Sequence, residues 1–126
     1  MENDDILYLR RLIGEKLSSV EFVLNYWQLR FDGQTLTVTS RMQVFNGDSS
    51  LGPGEVGFRD ALVERIAKRV VEVTVTNGDR VELLFDDVGR IKISLRPEDI
   101  LGGAESLRYD SFDGSCQVWR PNEIAG

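Results

Sequence analysis

The chain has 126 residues, of which 41% are hydrophobic and 29% are charged, and its 15 basic and 21 acidic side chains leave a net charge of −6. This length fits one domain with one hydrophobic core, and the acidic balance argues against a nucleic-acid partner, because affinity for phosphate backbones comes largely from Lys and Arg. A basic protein partner suits this charge, and plain solubility is the alternative explanation.

The residue types present exclude several kinds of catalytic and metal site. Histidine is absent, which removes the commonest general base and transition-metal ligand. Cys116 is the only cysteine, so no internal disulfide or thiolate zinc site can form. We therefore expect no catalytic residue, no metal and no cofactor. The acidic residues 1–5 precede no long apolar run, which predicts no secretory signal, no membrane span and a cytoplasmic location.

A short N-terminal helix is predicted first. Apolar residues recur at helical spacing at Ile6, Leu9, Leu12 and Ile13. Asp4 or Asp5 can cap the start of this helix, and Gly14 offers a stop.

Strands follow the helix. The apolar parity of residues 20–23 differs from that of residues 27–31, and since a continuous strand keeps one parity, we expect a turn or bulge near Asn25. Asp32-Gly33 predicts a hairpin turn, because Gly supplies positive φ freely and Asp tolerates it. The alternation then continues over residues 36–44, which predicts one long strand.

Residues 46–57 read as the one obvious loop, rich in glycine. Residues 52–57 match the dinucleotide-binding glycine fingerprint, and a helix follows. That fingerprint works only where a strand runs directly into the turn, whereas residues 46–51 intervene after Phe45. Tight hairpins also cannot make the parallel crossover that the cofactor requires. We therefore expect no nucleotide at this loop.

A second short helix follows the loop. Its apolar face is predicted to hold Phe58, Leu62, Val63 and Ile66. Basic residues follow at Arg65, Lys68 and Arg69, and with Glu64 and Glu72 alongside they are typical of a solvated face.

The rest of the chain echoes the first part. Valines alternate into a hairpin turn at Asn77-Gly78, a second turn is predicted at residues 86–89, and residues 107–119 form a C-terminal hairpin around Asp113-Gly114. Residues 12–38 and 62–93 then read as two three-stranded meanders in a pseudo-twofold arrangement. The predicted fold is α+β, mostly antiparallel β, with two short helices in a single domain over residues 1–126.

Aromatic and acidic residues supply the predicted partner-binding set. Trp27 shares the parity of Leu29 and Phe31 and is predicted to lie in the core. Tyr26, on the opposite parity, and Trp119, near the chain end, are predicted surface aromatics, with edge packing as the alternative. The predicted partner-binding residues are Tyr26, Asp86, Asp87, Tyr109 and Trp119, because exposed aromatics on an acidic scaffold are typical interface anchors.

The pattern Leu-Ile-Gly-x5-Val-x6-Trp-x-Leu-x-Phe-Asp-Gly spans Leu12 to Gly33, and a second Val-rich unit with Phe-Asp-Asp follows. This pattern resembles a group of small bacterial proteins of unassigned function built from two β-meander units. Some members look like immunity proteins, which neutralise a sibling toxin by binding it. The resemblance implies a non-enzymatic protein-binding module. The alternative is a small molecule or peptide bound in the cleft between the two meanders.

Overall fold

The computed structural model describes residues 8–103 and 105–120. In chain order its strands β1 to β10 are Leu17–Val23, Tyr26–Phe31, Gln34–Val38, Met42–Asn46, Ser49–Leu51, Val70–Thr76, Arg80–Phe85, Arg90–Ser94, Leu107–Ser111 and Cys116–Trp119. The α-helix that we label α1 covers Phe58–Val63, and 3₁₀ turns cover Arg10–Leu12 and Pro97–Asp99. Tyr8 and Leu9, where the described residues begin, are also α-helical. None of the helices in the described ranges is long and apolar enough to cross a membrane.

The strands form two five-stranded sheets, with the orders β1-β2-β3-β9-β10 and β5-β4-β8-β7-β6. All strand pairs are antiparallel. The prediction of a mostly antiparallel β fold is therefore confirmed, and so are both three-stranded meanders, β1-β2-β3 and β6-β7-β8.

Local turn chemistry places the hairpins as predicted. The change of parity near Asn25 is the turn between β1 and β2, and residues 86–89 join β7 to β8. The glycines of the other predicted turns have positive φ angles, +73° at Gly33, +74° at Gly78 and +88° at Gly114. A side chain with a Cβ is strained in that region, which is why these dipeptides mark the turns so reliably.

Alternation along the strands builds the core between the sheets. In β2 the buried residues are Trp27, Leu29 and Phe31, and in β7 they are Val81, Leu83 and Phe85. These residues belong to one hydrophobic cluster that draws on both sheets. Strands β2 and β7 therefore each turn one face to the core and the other outward.

The chain changes sheets where one long strand was expected, and that expectation is wrong. β3 ends at Val38, and β4 begins at Met42 and pairs with β8 of the other sheet. Between them Ser40 makes an isolated antiparallel bridge with Ile100. The alternation continues across the break because the inner faces of both sheets face the same core.

The two halves of the chain exchange hairpins, because each meander is extended by a hairpin that follows the other meander in the chain. The hairpin β4-β5 extends the second meander, and the predicted C-terminal hairpin, β9-β10, extends the first by pairing with β3. The first strands of the two meanders also share a register shift, between Leu17 and Ser19 in β1 and between Val70 and Glu72 in β6. Strand order and bulges thus correspond between the halves, while a pseudo-twofold axis stays a prediction.

The helical and loop segments differ from expectation in extent. The first helical turn ends at Leu12, and Gly14 follows with a φ of +94°, as the predicted stop requires; Ile6 and the caps Asp4 and Asp5 lie outside the described residues. In α1 Leu62 is buried, but Val63 is 46% exposed and is not part of the apolar face. The loop expected over residues 46–57 contains the short strand β5.

Replacing Trp27 by alanine should test the core. The indole is 9% exposed and meets the Phe58 ring edge to face at 5.8 Å. We expect Trp27→Ala to lower the free energy of unfolding by about 3–5 kcal/mol in a urea titration. The control Tyr26→Ala changes the adjacent, outward-facing residue and should cost less than about 1 kcal/mol. A Trp27→Ala loss as small as that of the control would place Trp27 on the surface.

Candidate functional site

Two of the predicted partner-binding aromatics are inside the protein. Tyr109 is 0% exposed and its hydroxyl donates a hydrogen bond of 2.7 Å to Oε1 of Gln34. Trp119 is 8% exposed and lies opposite Leu107 in the β9–β10 pair. The expectation that Trp119 is a surface aromatic is therefore wrong. Neither ring can anchor a partner in this conformation, because a hot-spot side chain must first be accessible.

The structure does not bring the remaining predicted residues together. Tyr26 lies opposite Val23 at the far end of β1. Asp86 lies near the start of β1, because its N–H donates to the carbonyl of Arg69, and Arg69 bridges to Lys16. β1 spans 7 residues, so about 20 Å separates the two positions. Tyr26 and Asp86 belong to different surfaces.

Asp87 has a structural partner that the sequence did not reveal. Arg65, only 3% exposed, donates two parallel hydrogen bonds of 2.6 and 2.7 Å to the Asp87 carboxylate. The guanidinium also lies 5.4 Å from the centre of the Phe85 ring. The solvated basic face expected for this segment is therefore wrong at Arg65. The guanidinium hydrogen bonds lower the pKa of Asp87 to about 2.

The turn around Asp87 is shaped to admit this pair. A Cβ at Gly89 would lie 1.8 Å from Nη1 of Arg65, so only glycine leaves room for the guanidinium. Val88 has a φ of +64° and is 74% exposed. A β-branched residue in that region is strained, and the Arg65–Asp87 contact opposes the strain by holding the turn. Asp87 therefore belongs to the framework of the protein.

The glycine-rich loop also differs from its prediction. Strand β5 runs directly into Gly52, so residues 46–51 are not an unstructured gap. The Gly52 N–H donates to the carboxylate of Glu55 from the same loop. That carboxylate occupies the Gly52 N–H and would repel a phosphate group. This contact argues against a nucleotide at the loop, and it replaces the argument from a missing strand.

An apolar groove lies between this loop and the β1–β2 hairpin. It encloses about 390 Å³, and we define the apolar groove by six of its residues, Phe22, Leu24, Trp27, Pro53, Val56 and Phe58. Trp27 and Phe58 are almost fully buried and form the floor. Leu24 on the hairpin and Val56 on the loop form the two lips, and they are 94% and 97% exposed.

Charged groups around the apolar groove are few. Arg59 lies with its guanidinium 5.0 Å from the centre of the Phe22 ring, which holds that ring from its exposed side. Glu55 lines the groove, and Asp60 is exposed on α1 next to Arg59. No signal in the sequence marked this site, because its floor and lips come from separate segments that only the exchange of strands brings together.

The cleft expected between the two meanders is occupied by protein. The inward side chains of β2 and β7, such as Leu29 and Leu83, are fully buried in one cluster. Residues 8–103 and 105–120 contain no group of three or more His, Cys, Asp or Glu side chains arranged to hold a metal ion.

The Arg65–Asp87 pair makes stability depend on pH in a defined direction. Asp87 has a folded pKa of about 2 and an ordinary unfolded pKa of about 4. Its contribution is therefore fully present above pH 4 and is lost as the pH falls toward 2. Asp87→Asn should flatten the dependence of the unfolding free energy on pH across this window. A slope equal to that of the wild type would contradict the assignment.

Removing the Asp87 carboxylate should also lower the free energy of unfolding at neutral pH. Asp87→Ala leaves the buried Arg65 guanidinium without its partner, and we expect a loss of about 3 kcal/mol in a urea titration at pH 7, at the low end for such pairs because the Asp87 side chain is 33% exposed. Asp86→Ala is the matched control at the adjacent exposed position and should cost less than about 1 kcal/mol. Equal losses in the two variants would show that the Arg65–Asp87 pair contributes no more to stability than an exposed carboxylate does.

Comparison of this chain with protein families, with curated proteins and with solved structures finds no match.

Proposed function

We propose that this chain is a cytoplasmic, non-enzymatic protein-binding module that receives an apolar side chain of a basic partner protein in the apolar groove. The observation that carries the proposal is the exposure of the lips, 94% for Leu24 and 97% for Val56. Single exposed aliphatic residues are ordinary. Two of them on opposite sides of an apolar groove form a continuous patch, which is typical of an interaction site.

The floor supports tight packing of an inserted group. Trp27 and Phe58 meet edge to face, with planes at 63°, and the core holds both rings in place. A rigid aromatic floor loses little conformational entropy when a partner side chain settles on it. The lips gain most, because burying a leucine or valine side chain contributes about 1.5–3 kcal/mol.

The shape favours a protein partner over a free small molecule. A small ligand binds well when a pocket covers about 70–90% of its surface. The lip side chains here are almost fully exposed, so the groove is open rather than enclosed. An open groove suits a side chain that projects from a larger surface, because the partner itself then covers the lips.

The charge of the chain favours a basic partner. The net charge is −6, and Asp60 is exposed on α1, the helix whose residues Phe58 and Arg59 line the groove. An acidic surface attracts a cationic protein at long range and raises the association rate. The buried apolar contact then sets how slowly the complex dissociates.

The resemblance to immunity proteins suggests which partner to test first. In that reading the basic partner is a toxin made by the same cell, and the apolar groove blocks it by binding. The exposed thiol of Cys116 fits a reducing cytoplasm, where it would not be driven to pair with another thiol.

Cross-linking in the native host tests the proposal directly. A photoreactive phenylalanine analogue is placed at Leu24 or at Val56, and cross-linked species are identified by mass spectrometry. Phe112, an apolar side chain 82% exposed on another hairpin, is the matched control position. We expect both groove positions to capture the same partner and the control position not to capture it. A host in which neither groove position captures a protein would contradict the proposal.

With that partner purified, changes of charge and changes of apolar contact should affect different rate constants of binding. Changing both lips to serine should speed dissociation about thirtyfold, equivalent to about 2 kcal/mol, whereas Asp60→Lys should slow association at low salt and leave dissociation unchanged. Asp86→Lys makes the same charge change at the far end of β1 and should slow association less. Measurement is by surface plasmon resonance. If the lip change leaves dissociation unaltered, the partner binds elsewhere.

A further inference from the structure

A second cavity, of about 400 Å³, lies on the outer face of the β5-β4-β8-β7-β6 sheet. We call it the charged cavity and define it by its four cations, Arg41, Arg80, Lys92 and Arg96. Arg80 and Lys92 stand on β7 and β8, where they alternate with the buried residues Val81 and Ile93. Arg41 directly precedes β4, and Arg96 follows β8. The charged cavity is thus lined by the sheet and also by loop and turn residues, namely Gly52, Glu55, Asp79 and Asp99.

Two of the four cations are already neutralised. Arg80 and Arg96 share the Asp79 carboxylate, and Nε of Arg96 lies 2.8 Å from Oδ1 of Asp79. Arg80 also donates to Glu82 at 3.1 Å. The two guanidiniums lower the pKa of Asp79, with Arg96 the stronger cause. These four groups belong to one network of opposite charges, which Arg90 and Glu98 extend through Glu82 and Arg96.

Arg41 and Lys92 are different. Within residues 8–103 and 105–120 neither side chain has an ion pair or a hydrogen bond. Gln43 lies opposite Lys92, and the N–H of Ser94 donates to the carbonyl of Arg41, so Arg41 and Lys92 are diagonal neighbours on adjacent strands. Diagonal neighbours on paired strands are about 7–8 Å apart, and their Cβ atoms are somewhat closer. Two long cationic side chains at this separation repel each other and can converge on one anion between them.

The carboxylates that line the charged cavity do not meet this need. Glu55 accepts the N–H of Gly52, and Asp99 accepts the hydroxyl of Ser94 at 2.7 Å. Neither lies within ion-pair distance of Arg41 or Lys92 among the described contacts. Glu82 lies opposite Lys92 on β7, but its carboxylate pairs with Arg80 and Arg90. Among the described residues, Arg41 and Lys92 are thus the two cations of the charged cavity that have no carboxylate partner.

We infer that the charged cavity binds a small molecule carrying a doubly charged oxyanion group, held between Arg41 and Lys92. A guanidinium offers a planar fork of donors to two oxygens of one group, and an ammonium adds a point charge on the far side. The volume lies within the range of small-molecule sites. The charged cavity and the apolar groove lie on either side of the loop that carries Glu55, which lines both. The anion site uses Arg41 and Lys92, which do not line the apolar groove, so it does not depend on the function proposed for that groove.

Titration with two small probes tests the inference and separates two sources of the same charge. Inorganic phosphate and malonate are added to the isotopically labelled full chain at constant ionic strength, and amide resonances are followed by NMR. We expect saturable shifts confined to β4 and β8 for at least one probe. Saturation by phosphate alone identifies a phosphate group as the ligand chemistry, and saturation by malonate alone identifies a dicarboxylate.

Matched variants distinguish binding at the charged cavity from general attraction of anions to cationic side chains. Arg41→Ala and Lys92→Ala should each weaken binding about tenfold or more, because each removes a charge-assisted contact. Arg10→Ala and Lys16→Ala remove the same charges at exposed positions outside the charged cavity and should leave the affinity unchanged. Equal weakening by the controls, shifts spread over the surface, or no saturation by either probe would overturn the inference.

Discussion

The ion pair between the buried Arg65 and Asp87 joins the segment after α1 to the second sheet, and the position of that segment against the first sheet depends on it. It fixes the segment after α1 to the turn between β7 and β8, and only a glycine at position 89 leaves space for it. The same segment continues through Ala67, whose N–H donates to Leu17 at the start of β1. One desolvated guanidinium thus links the helix, one sheet and the edge of the other, and removing its partner would leave a charge that the interior cannot solvate.

The apolar groove follows from that arrangement. Its hairpin lip belongs to the first sheet, and its loop lip is carried by the segment between β5 and α1, which leaves the second sheet. Because α1 is held at its end by Arg65 and at its start by the packing of Phe58 on Trp27, the distance between the lips is set by the core. The charged cavity has a different origin, since it requires only the alternation of outward side chains on paired strands.

The hairpins could be predicted from the sequence because each depends on a dipeptide with its own conformational preference, such as Asp32-Gly33. Sheet membership could not, because the crossing at Ser40 carries neither glycine nor proline and keeps its parity, so nothing local distinguishes two strands from one. The burial of Arg65 depends on a carboxylate 22 residues away. Trp119 was misplaced because its face is decided by its pairing with Leu107, which is a tertiary choice.

The reciprocal exchange of hairpins also has consequences for fragments of the chain and for dimers. Val38 pairs with Leu107, 69 residues later in the chain, so the hairpins β9-β10 and β4-β5 join their sheets only after distant segments have met. Neither half alone contains a complete sheet, and each would present unpaired strand edges. The pairs that close the sheets within one chain can equally close them between two chains, which gives this topology an intrinsic route to a domain-swapped dimer with the hinge at the crossing segment around Ser40.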